Sequence, residues 1–552
     1  MNTTEVKNEK IIAIVDDDKT LAAITAWDVE EAGYETFLLK NEHFHNVNEL
    51  ASLIIENSQS AVCDHRLSNS GFANFSGAEL VAALYDRKFP SLLITQYTEM
   101  DTSFSIRKWR HKIPVLLSRE ETNAVNISQG IEICKSELCG KMPSTRKTRR
   151  TIVRITNIDK EAHESFVDAF VPSWNPHRAV RFPASLIPAN LRDLLEPNKT
   201  IRLFAHVNTS AEKSDDLYFE KFELIILDVG HGNCALIKDA NNVIVIDCPP
   251  GGILSETLEH LSIQEILHIL ISHSDADHIG GMIDLLADKN IRIHNVHLNP
   301  DAIKKSELWL DVRFALKDAQ QRGTKVSSEL TTTKTGSLNI GLVNIEVLAP
   351  TPELILSGAG GADLQGKKLT SNSVSAVIGV VHNEHRIAIL AGDIDQVGFE
   401  NLIQDSTSLN ADILVFPHHG GKPGSADAKT FAQKFCGFIK PRLIIFSIDR
   451  TRFSNPRPEI IEGLRSVLPD AHILCTQLST QCAASLPTSK PGHLSTIPSK
   501  GLVNNSNSCC GGSLIIKLDG ISTVYDQIYL HKEFVDQVSS PICRKYSILN
   551  QI

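Results

Sequence analysis

The sequence lacks any apolar run of the roughly 18 residues that a membrane-spanning helix needs, so no membrane span is expected. Its first ten residues, MNTTEVKNEK, are polar and hold no apolar core of the kind a secretory leader carries. Basic charge is not in excess: 55 Lys and Arg stand against 65 Asp and Glu, a formal net charge of -10. That excludes a long-range basic field and leaves local patches or metal ions to meet any phosphate backbone. Cysteine offers no disulfide framework, because the 11 thiols are odd in number and scattered, and a reducing, cytoplasmic setting is the simpler expectation. What remains is ordinary soluble composition, 42% hydrophobic and 22% charged over 552 residues. It can fill several cores, excludes a collagen-like or wholly disordered chain, and at this length predicts about three domains.

Those three are read at 9–130, 131–220 and 221–535. In the first, the apolar runs KIIAIV, ETFLL, SAVCD, SLLIT and IPVLL alternate with amphipathic stretches such as TLAAITAWDVEEAG and GAELVAALYD. Five short strands separated by helices predict an α/β domain with a doubly wound parallel sheet. Ligands of such folds sit at the C-terminal ends of strands, where this sequence places Asp16 and Asp17, then Asp64, then Thr95. Carboxylates so gathered repel unless a cation holds them, and oxygen ligands of this type suit Mg²⁺. A solvated acidic sheet edge is the plainer alternative.

The pieces IVDDD, VCDHRLS with Gly77 after it, and LLIT resemble the receiver domain of two-component signalling over about residues 9–125. The resemblance implies Mg²⁺ held by Asp16 and Asp17, a phosphoacceptor at Asp64, a switch residue at Thr95, and a histidine kinase or other phosphodonor as partner. Two features depart from the family. Ser118 closes the fifth strand in PVLLSRE where relatives carry lysine, and the loop from Asp64 to Gly77 is longer than usual. A receiver shell kept only as a docking surface is the rival reading.

The second region opens on KMPSTRKTRRTIVR, in which Lys141, Arg146, Lys147, Arg149, Arg150 and Arg154 make a local positive patch able to meet nucleic acid or anionic lipid. A solvated linker explains it equally well. TIRLFAHVN and YFEKFEL are strand candidates, and a small, mostly β accessory domain is expected.

The third region carries the strongest signal. A strand, EILHILI, runs straight into SHSDADHIGG, so that His273, Asp275, Asp277 and His278 leave it within six residues. Imidazole nitrogen and carboxylate oxygen together suit Zn²⁺, Mn²⁺ or Fe²⁺. One such histidine is readily explained as a core residue; two histidines and two aspartates at one strand end are not. Further candidates again follow strands: Asp393 after HRIAILAG, and His418 and His419 after ADILVFP. Two strand-rich halves supplying ligands from their strand ends predict an αββα sandwich with the site along one edge.

In order, LDVGHGNCALI, VIVIDC, ISHSDADHIGG, NSVSAVIGV, IAILAGDI and VFPHHGG resemble the metallo-β-lactamase superfamily, and within it the hydrolase domain of ComEC-type DNA-uptake proteins, over about residues 222–520. The resemblance implies two divalent metal ions, zinc or manganese, held by His273, Asp275, Asp277, His278, Asp393 and one of His418 and His419. Asp393 would bridge them and Asp277 would orient the nucleophile. Asp275 stands where many branches have a histidine, and Asn372 and Ser375 fall where those branches have another, so one metal position is expected to be weaker. Asp247 and His231 are expected to line or support the site. The channel portion of ComEC proteins is absent, so uptake through a membrane is not implied.

Cys475, Cys482, His493, Cys509 and Cys510 raise the further reading of a structural zinc in a polar insertion, against buried free thiols beside a loose loop. The expected activity is metal-dependent hydrolysis of a phosphodiester in nucleic acid, a nuclease gated by the receiver. A small phosphodiester, a carboxylic ester or lactam, or a non-enzymatic signalling role are the alternatives. A gated, otherwise toxic nuclease would suit a bacterial stress or antiviral defence role, and phosphorylation could act by opening or dimerising the hydrolase.

Overall fold

The computed structural model describes residues 11–544 apart from 40–42, 69–70, 97–104, 161–164, 188–191, 193–194, 405–408, 488–490 and 518–521 and the single positions 198, 221, 241 and 425. The chain divides into two compact units, Met1–Glu220 and Lys221–Ile552.

The first unit begins with β1 (Ile11–Val15), β2 (Glu35–Leu38), β3 (Ser60–Asp64), β4 (Ser91–Thr95) and β5 (Leu116–Ser118), all parallel in the order β2-β1-β3-β4-β5. Every residue of β3 and β4 is buried, as expected of a parallel sheet covered on both faces. The helices are α1 (Lys19–Glu31), α2 (Val47–Asn57), α3 (Gly77–Asp86), α4 (Ile106–Trp109) and α5 (Ala124–Leu138). Their starts follow from capping side chains: Asp18 accepts from the Thr20 and Leu21 amides at 2.7 and 3.2 Å, and Ser76 and Asn123 do the same for α3 and α5. Glycine is required at position 77, where a Cβ would lie 1.8 Å from the Asp64 carbonyl oxygen.

The rest of this unit is an antiparallel sheet of β6 (Arg149–Asp159), β7 (Phe166–Val171), β8 (Asn175–Pro183), β9 (Ile201–Val207) and β10 (Phe219–Glu220), in the order β10-β9-β6-β7-β8. Val153, Ile155, Val167, Ala169, Val180 and Phe182 fill its core. Its loop 208–218 is gripped by α4 and the turn after it. Arg107 donates to the Ser214 and Leu217 carbonyls at 2.7 and 3.0 Å, and Arg110 pairs with Asp216 at 2.8 Å. The basic stretch is therefore neither one patch nor a linker. Arg146 is buried on Glu137 at 2.7 Å, whereas Arg149, Arg150 and Arg154 belong to β6.

The second unit holds two sheets. One has seven strands, β11 (Glu223–Ile226), β12 (Ala235–Asp239), β13 (Asn242–Ile246), β14 (Glu265–Leu270), β15 (Arg292–His297), β16 (Lys325–Ser327) and β23 (Leu514–Lys517), in the order β16-β15-β14-β13-β12-β11-β23. The other has six in sequence order, β17 (Val343–Ala349), β18 (Val377–His382), β19 (His385–Leu390), β20 (Ile413–Val415), β21 (Leu443–Phe446) and β22 (His472–Cys475). Leu224, Ile244 and Leu270 of the first pack against Ile345, Ile378 and Ile445 of the second. Helices 253–260, 282–287 and 307–321 cover one outer face through Leu258, Leu285 and Trp309. Helices 396–404, 428–439 and 458–467 cover the other through Phe399, Phe435 and Leu464. This is the αββα sandwich that the paired strand sets predict. Each sheet passes from antiparallel to parallel pairing, so β13, β14, β19 and β20 all deliver their C-terminal ends to the site.

Phe435 is fully buried and packs on Phe399, Phe416 and Phe431 at ring separations of 5.0, 6.1 and 5.3 Å. Phe435→Ala should destabilise this unit by about 3–5 kcal/mol, read as a fall in its denaturation midpoint at unchanged slope.

Candidate metal centre

The site is built from four strand ends. β14 leads into the turn 271–275 and a short helix at 276–279, which presents Asp277 and His278; β19 leads to Asp393; β20 leads to Pro417, His418 and His419; β13 ends beside Asp247. Close approach is allowed by Gly232, at φ +136, where a Cβ would lie 2.4 Å from the Asp277 carbonyl oxygen. His418 and His419 both take a left-handed backbone at φ 53 and Asp247 does so at φ 61, conformations that cost a non-glycine residue about 1–3 kcal/mol each and concentrate at functional sites.

One donor atom each from Asp277, His278, Asp393 and His419 lie within 4.8 Å of one another. His419 Nε2 is 3.3 Å from Asp277 and 3.8 Å from Asp393; His278 Nε2 is 3.5 Å from Asp393 and 3.9 Å from Asp277. The far side of each ring is anchored. His278 Nδ1 donates to Asp247 Oδ2 at 2.7 Å, and His419 Nδ1 donates to the Ser447 carbonyl at 2.9 Å, which directs both Nε2 atoms at the carboxylates. Asp247 is itself held by the amide and hydroxyl of Ser272 at 2.7 and 2.8 Å.

Nε2 of His273, His278 and His418 are buried with no hydrogen-bond partner. A buried polar atom left unpaired is costly, and those of His273 and His278, set against Asp275 at 3.8 Å and Asp393 at 3.5 Å, form the arrangement a cation satisfies. The electrostatics agree. Burial alone would raise the Asp277 carboxyl, yet His419 and His278 hold it well below the usual carboxylate range. Burial alone would lower His278, yet Asp247 and Asp393 raise it well above the usual imidazole range. The carboxylates thus demand positive charge at this point. The donor set, two imidazoles and two carboxylates, fits Zn²⁺ or Mn²⁺.

Other expected residues stand apart from that group. Asp275 is engaged by the ammonium of Lys304, with its second oxygen 3.8 Å from His273 Nε2. His418 Nδ1 lies 3.6 Å from Asp393. Ser375 supports Asp393 by accepting from its amide at 3.1 Å, and Asn372 uses its main-chain carbonyl in the same turn. His231 reaches Asp277 at 3.2 Å and packs on the rings of His419 and Phe453. Ser272, Lys304, Ser447 and Phe453 were not singled out from sequence. Ser272 alone had a signal, its place in ISHSDADH, while the others come from distant loops.

In the first unit, Asp16, Asp17 and Asp64 also bring carboxylate oxygens within 4.8 Å of one another. Burial and then Asp16 push the Asp64 carboxyl up to about 6. The cation that Ser118 fails to supply comes from the next residue. Arg119 reaches Asp64 at 2.7 Å and also touches Asp16, and its amide donates to the carbonyl of Thr95, the buried residue closing β4. The three aspartates and Thr95 line a cleft of about 690 Å³.

The zinc reading of the C-terminal thiols finds no such group among the described residues. His493 spends Nε2 on the Cys510 carbonyl at 2.6 Å, and Cys509 turns to Asp228 at 3.6 Å. Burial raises the thiols of Cys475 and Cys510 well above their usual range, and Cys475, Cys482 and Cys510 pack as apolar side chains.

The metallo-beta-lactamase superfamily profile matches residues 227–428. Among solved structures the chain is similar to the metallo-beta-lactamase fold protein YhfI from Bacillus subtilis, at 13% identity over 46% of this chain and 96% of that one, TM-score 0.30. It is similar to Zn²⁺-bound PqqB from Methylobacterium extorquens at 11% identity, over 46% and 97%, TM-score 0.30. It is also similar to the signal receiver domain of a modulated diguanylate cyclase from Desulfovibrio desulfuricans at 18% identity, over 23% and 94%, TM-score 0.20. No curated protein matches the chain. The profile match at 227–428 lies on the αββα sandwich, and the parallel sheet of the first unit has the receiver-like order β2-β1-β3-β4-β5. The likeness extends to the superfamily and does not single out the DNA-uptake branch.

Asp247→Asn removes the charge behind His278 and leaves a single oxygen to serve both the Ser272 amide and the His278 ring. It should weaken Zn²⁺ or Mn²⁺ affinity by roughly 10–100-fold, measured by competition with a chromophoric chelator.

Proposed function

We propose that the second unit is a metal-dependent phosphodiester hydrolase acting on nucleic acid. The observation that carries this reading is the four-ligand group of Asp277, His278, Asp393 and His419, in which the buried Nε2 of His278 has no hydrogen-bond partner. Asp277, His278, Asp393 and His419 would hold one divalent ion. His273 and His418, with Asp393 between the positions, would supply a second and weaker one, which Asp275 joins only on releasing Lys304. Such ions supply Lewis acidity and an activated water when bound. Asp277 would orient the attacking water. His231, 3.2 Å from Asp277, would pass a proton to the departing oxygen. Lys304 beside Asp275, and Arg452, whose charge is felt at His231, favour an anionic substrate over a neutral ester or lactam.

In the same reading the receiver-like domain is the control element. A histidine kinase or other phosphodonor would phosphorylate Asp64 with Mg²⁺ held by Asp16 and Asp17. Arg119 would move with the new charge, and the strand end it follows leads directly to Glu121, which pairs with Lys213 of loop 208–218 at 3.2 Å. A phosphoryl group adds close to two negative charges, enough to redirect a guanidinium shared by two carboxylates.

Purified protein with Mn²⁺, Zn²⁺ or Mg²⁺ should cleave linear DNA, plasmid or RNA, and His278→Ala or Asp393→Asn should lower the rate by at least about 10²–10³-fold. Absence of cleavage of all three by the wild type, with a phosphodonor present, would contradict the nucleic-acid reading. Asp64→Ala should abolish the response to acetyl phosphate and leave the basal rate in place; a response that survives would contradict the switch.

A further inference from the structure

The outer face of the five-stranded antiparallel sheet in the first unit carries arginines and aromatic rings side by side. Alternation along β6 sends Thr151, Val153 and Ile155 inward and turns Arg150, Ile152 and Arg154 outward. The register then sets Phe204 of β9 opposite Ile152 and Arg202 opposite Arg154, while Phe170 of β7 stands opposite Arg154 on the other side. Guanidinium groups and rings therefore interleave. The Arg150 guanidinium lies 3.8 Å from the Phe204 ring centre, and that of Arg154 lies 5.0 Å from Phe170.

Phe204 remains 44% exposed and Ile152 41% exposed, so neither position is explained by core packing. The carboxylate of Asp168 on this face is taken by Arg181, which donates to both its oxygens at 2.8 and 2.9 Å. Arg150, Arg154 and Arg202 carry no carboxylate partner among the described residues. The face is cationic although the chain as a whole is acidic, at -10.

Unneutralised arginines recognise phosphate oxygens, and exposed rings and guanidinium planes are platforms on which unpaired bases stack. A duplex hides its bases from such rings, and an anionic bilayer has no use for the paired planes. We propose that this face binds single-stranded nucleic acid, with phosphates on Arg150, Arg154 and Arg202 and bases on Phe204 and Phe170. The proposal is independent of the hydrolase reading, because it concerns a different unit of the chain.

The test uses the full-length protein with EDTA present, so that cleavage cannot interfere. Fluorescence anisotropy of a labelled oligothymidylate of about 12 nucleotides reports binding. Phe204→Ala should weaken binding about tenfold, and Phe204→Tyr should stay within about threefold of the wild type because the stacking surface remains. The triple variant Arg150→Gln, Arg154→Gln, Arg202→Gln should weaken binding more. It should also reduce the slope of log affinity against log salt by about 2, at about 0.7 for each phosphate no longer neutralised. Circular dichroism and thermal melting verify that each variant is folded. A wild type that does not bind, binding that Phe204→Ala and the triple variant both retain, or binding to phosphatidylserine vesicles in place of the oligonucleotide would overturn the proposal.

Discussion

Two carboxylates and the Nε2 atoms of His278 and His419, held within 4.8 Å of one another, are the constraint around which the second unit is arranged. Unneutralised, Asp277 and Asp393 repel, and the buried nitrogens forgo the hydrogen bonds that water would have given them. The surrounding structure enforces this proximity. Asp247 and the Ser447 carbonyl fix the back of His278 and His419, Ser375 secures the Asp393 amide, and two consecutive residues accept left-handed backbone to aim the 418–419 pair. A fold that merely needed a core would not gather these groups. A cation converts every one of the costs into a favourable interaction.

The two sheets serve that end by their topology. Parallel pairing in the β13–β14 and β19–β20 pairs brings the C-terminal ends of strands from both halves to the site, while the apolar inner faces and the outer helices give those strands a rigid base. The first unit repeats the logic on a smaller scale. A parallel sheet delivers Asp16, Asp17 and Asp64 to one edge, and here the protein supplies a cation of its own in Arg119. The contrast is instructive: the acidic group of the first unit is bridged by an arginine, whereas the four-ligand group of the second has no such side chain among the described residues, and the nearby Lys304 is committed to Asp275.

Much of this was legible in the sequence. The strand-then-ligand pattern of EILHILISHSDADH, and its echoes before Asp393 and before His418–His419, sufficed to predict the sandwich and the edge at which the site lies. The alternation of apolar runs with amphipathic helices sufficed for the parallel sheet. What the pattern could not carry was long-range pairing. Nothing local to Asp275 announces Lys304, 29 residues away, and nothing in PVLLSRE says that Arg119, rather than the residue closing the strand, reaches Asp64. The basic stretch at 141–154 read as one patch because composition is blind to direction. In the fold its members part company, Arg146 into a buried pair with Glu137 and Arg150 and Arg154 onto an open sheet face. The C-terminal cysteines likewise looked like ligands by type, but His493 is spent on the Cys510 carbonyl, Cys509 turns to Asp228, and Cys475, Cys482 and Cys510 lie in an apolar core.

The account stands on the claim that the group formed by Asp277, His278, Asp393 and His419 is made to hold a divalent cation. Anomalous diffraction from crystals of the protein grown with Zn²⁺ or Mn²⁺ tests it most directly. The predicted result is a peak bounded by Nε2 of His278 and His419 and by carboxylate oxygens of Asp277 and Asp393, at about 2.0–2.2 Å from each. Crystals that show no peak there, with the imidazoles instead hydrogen-bonded to the carboxylates, would contradict it.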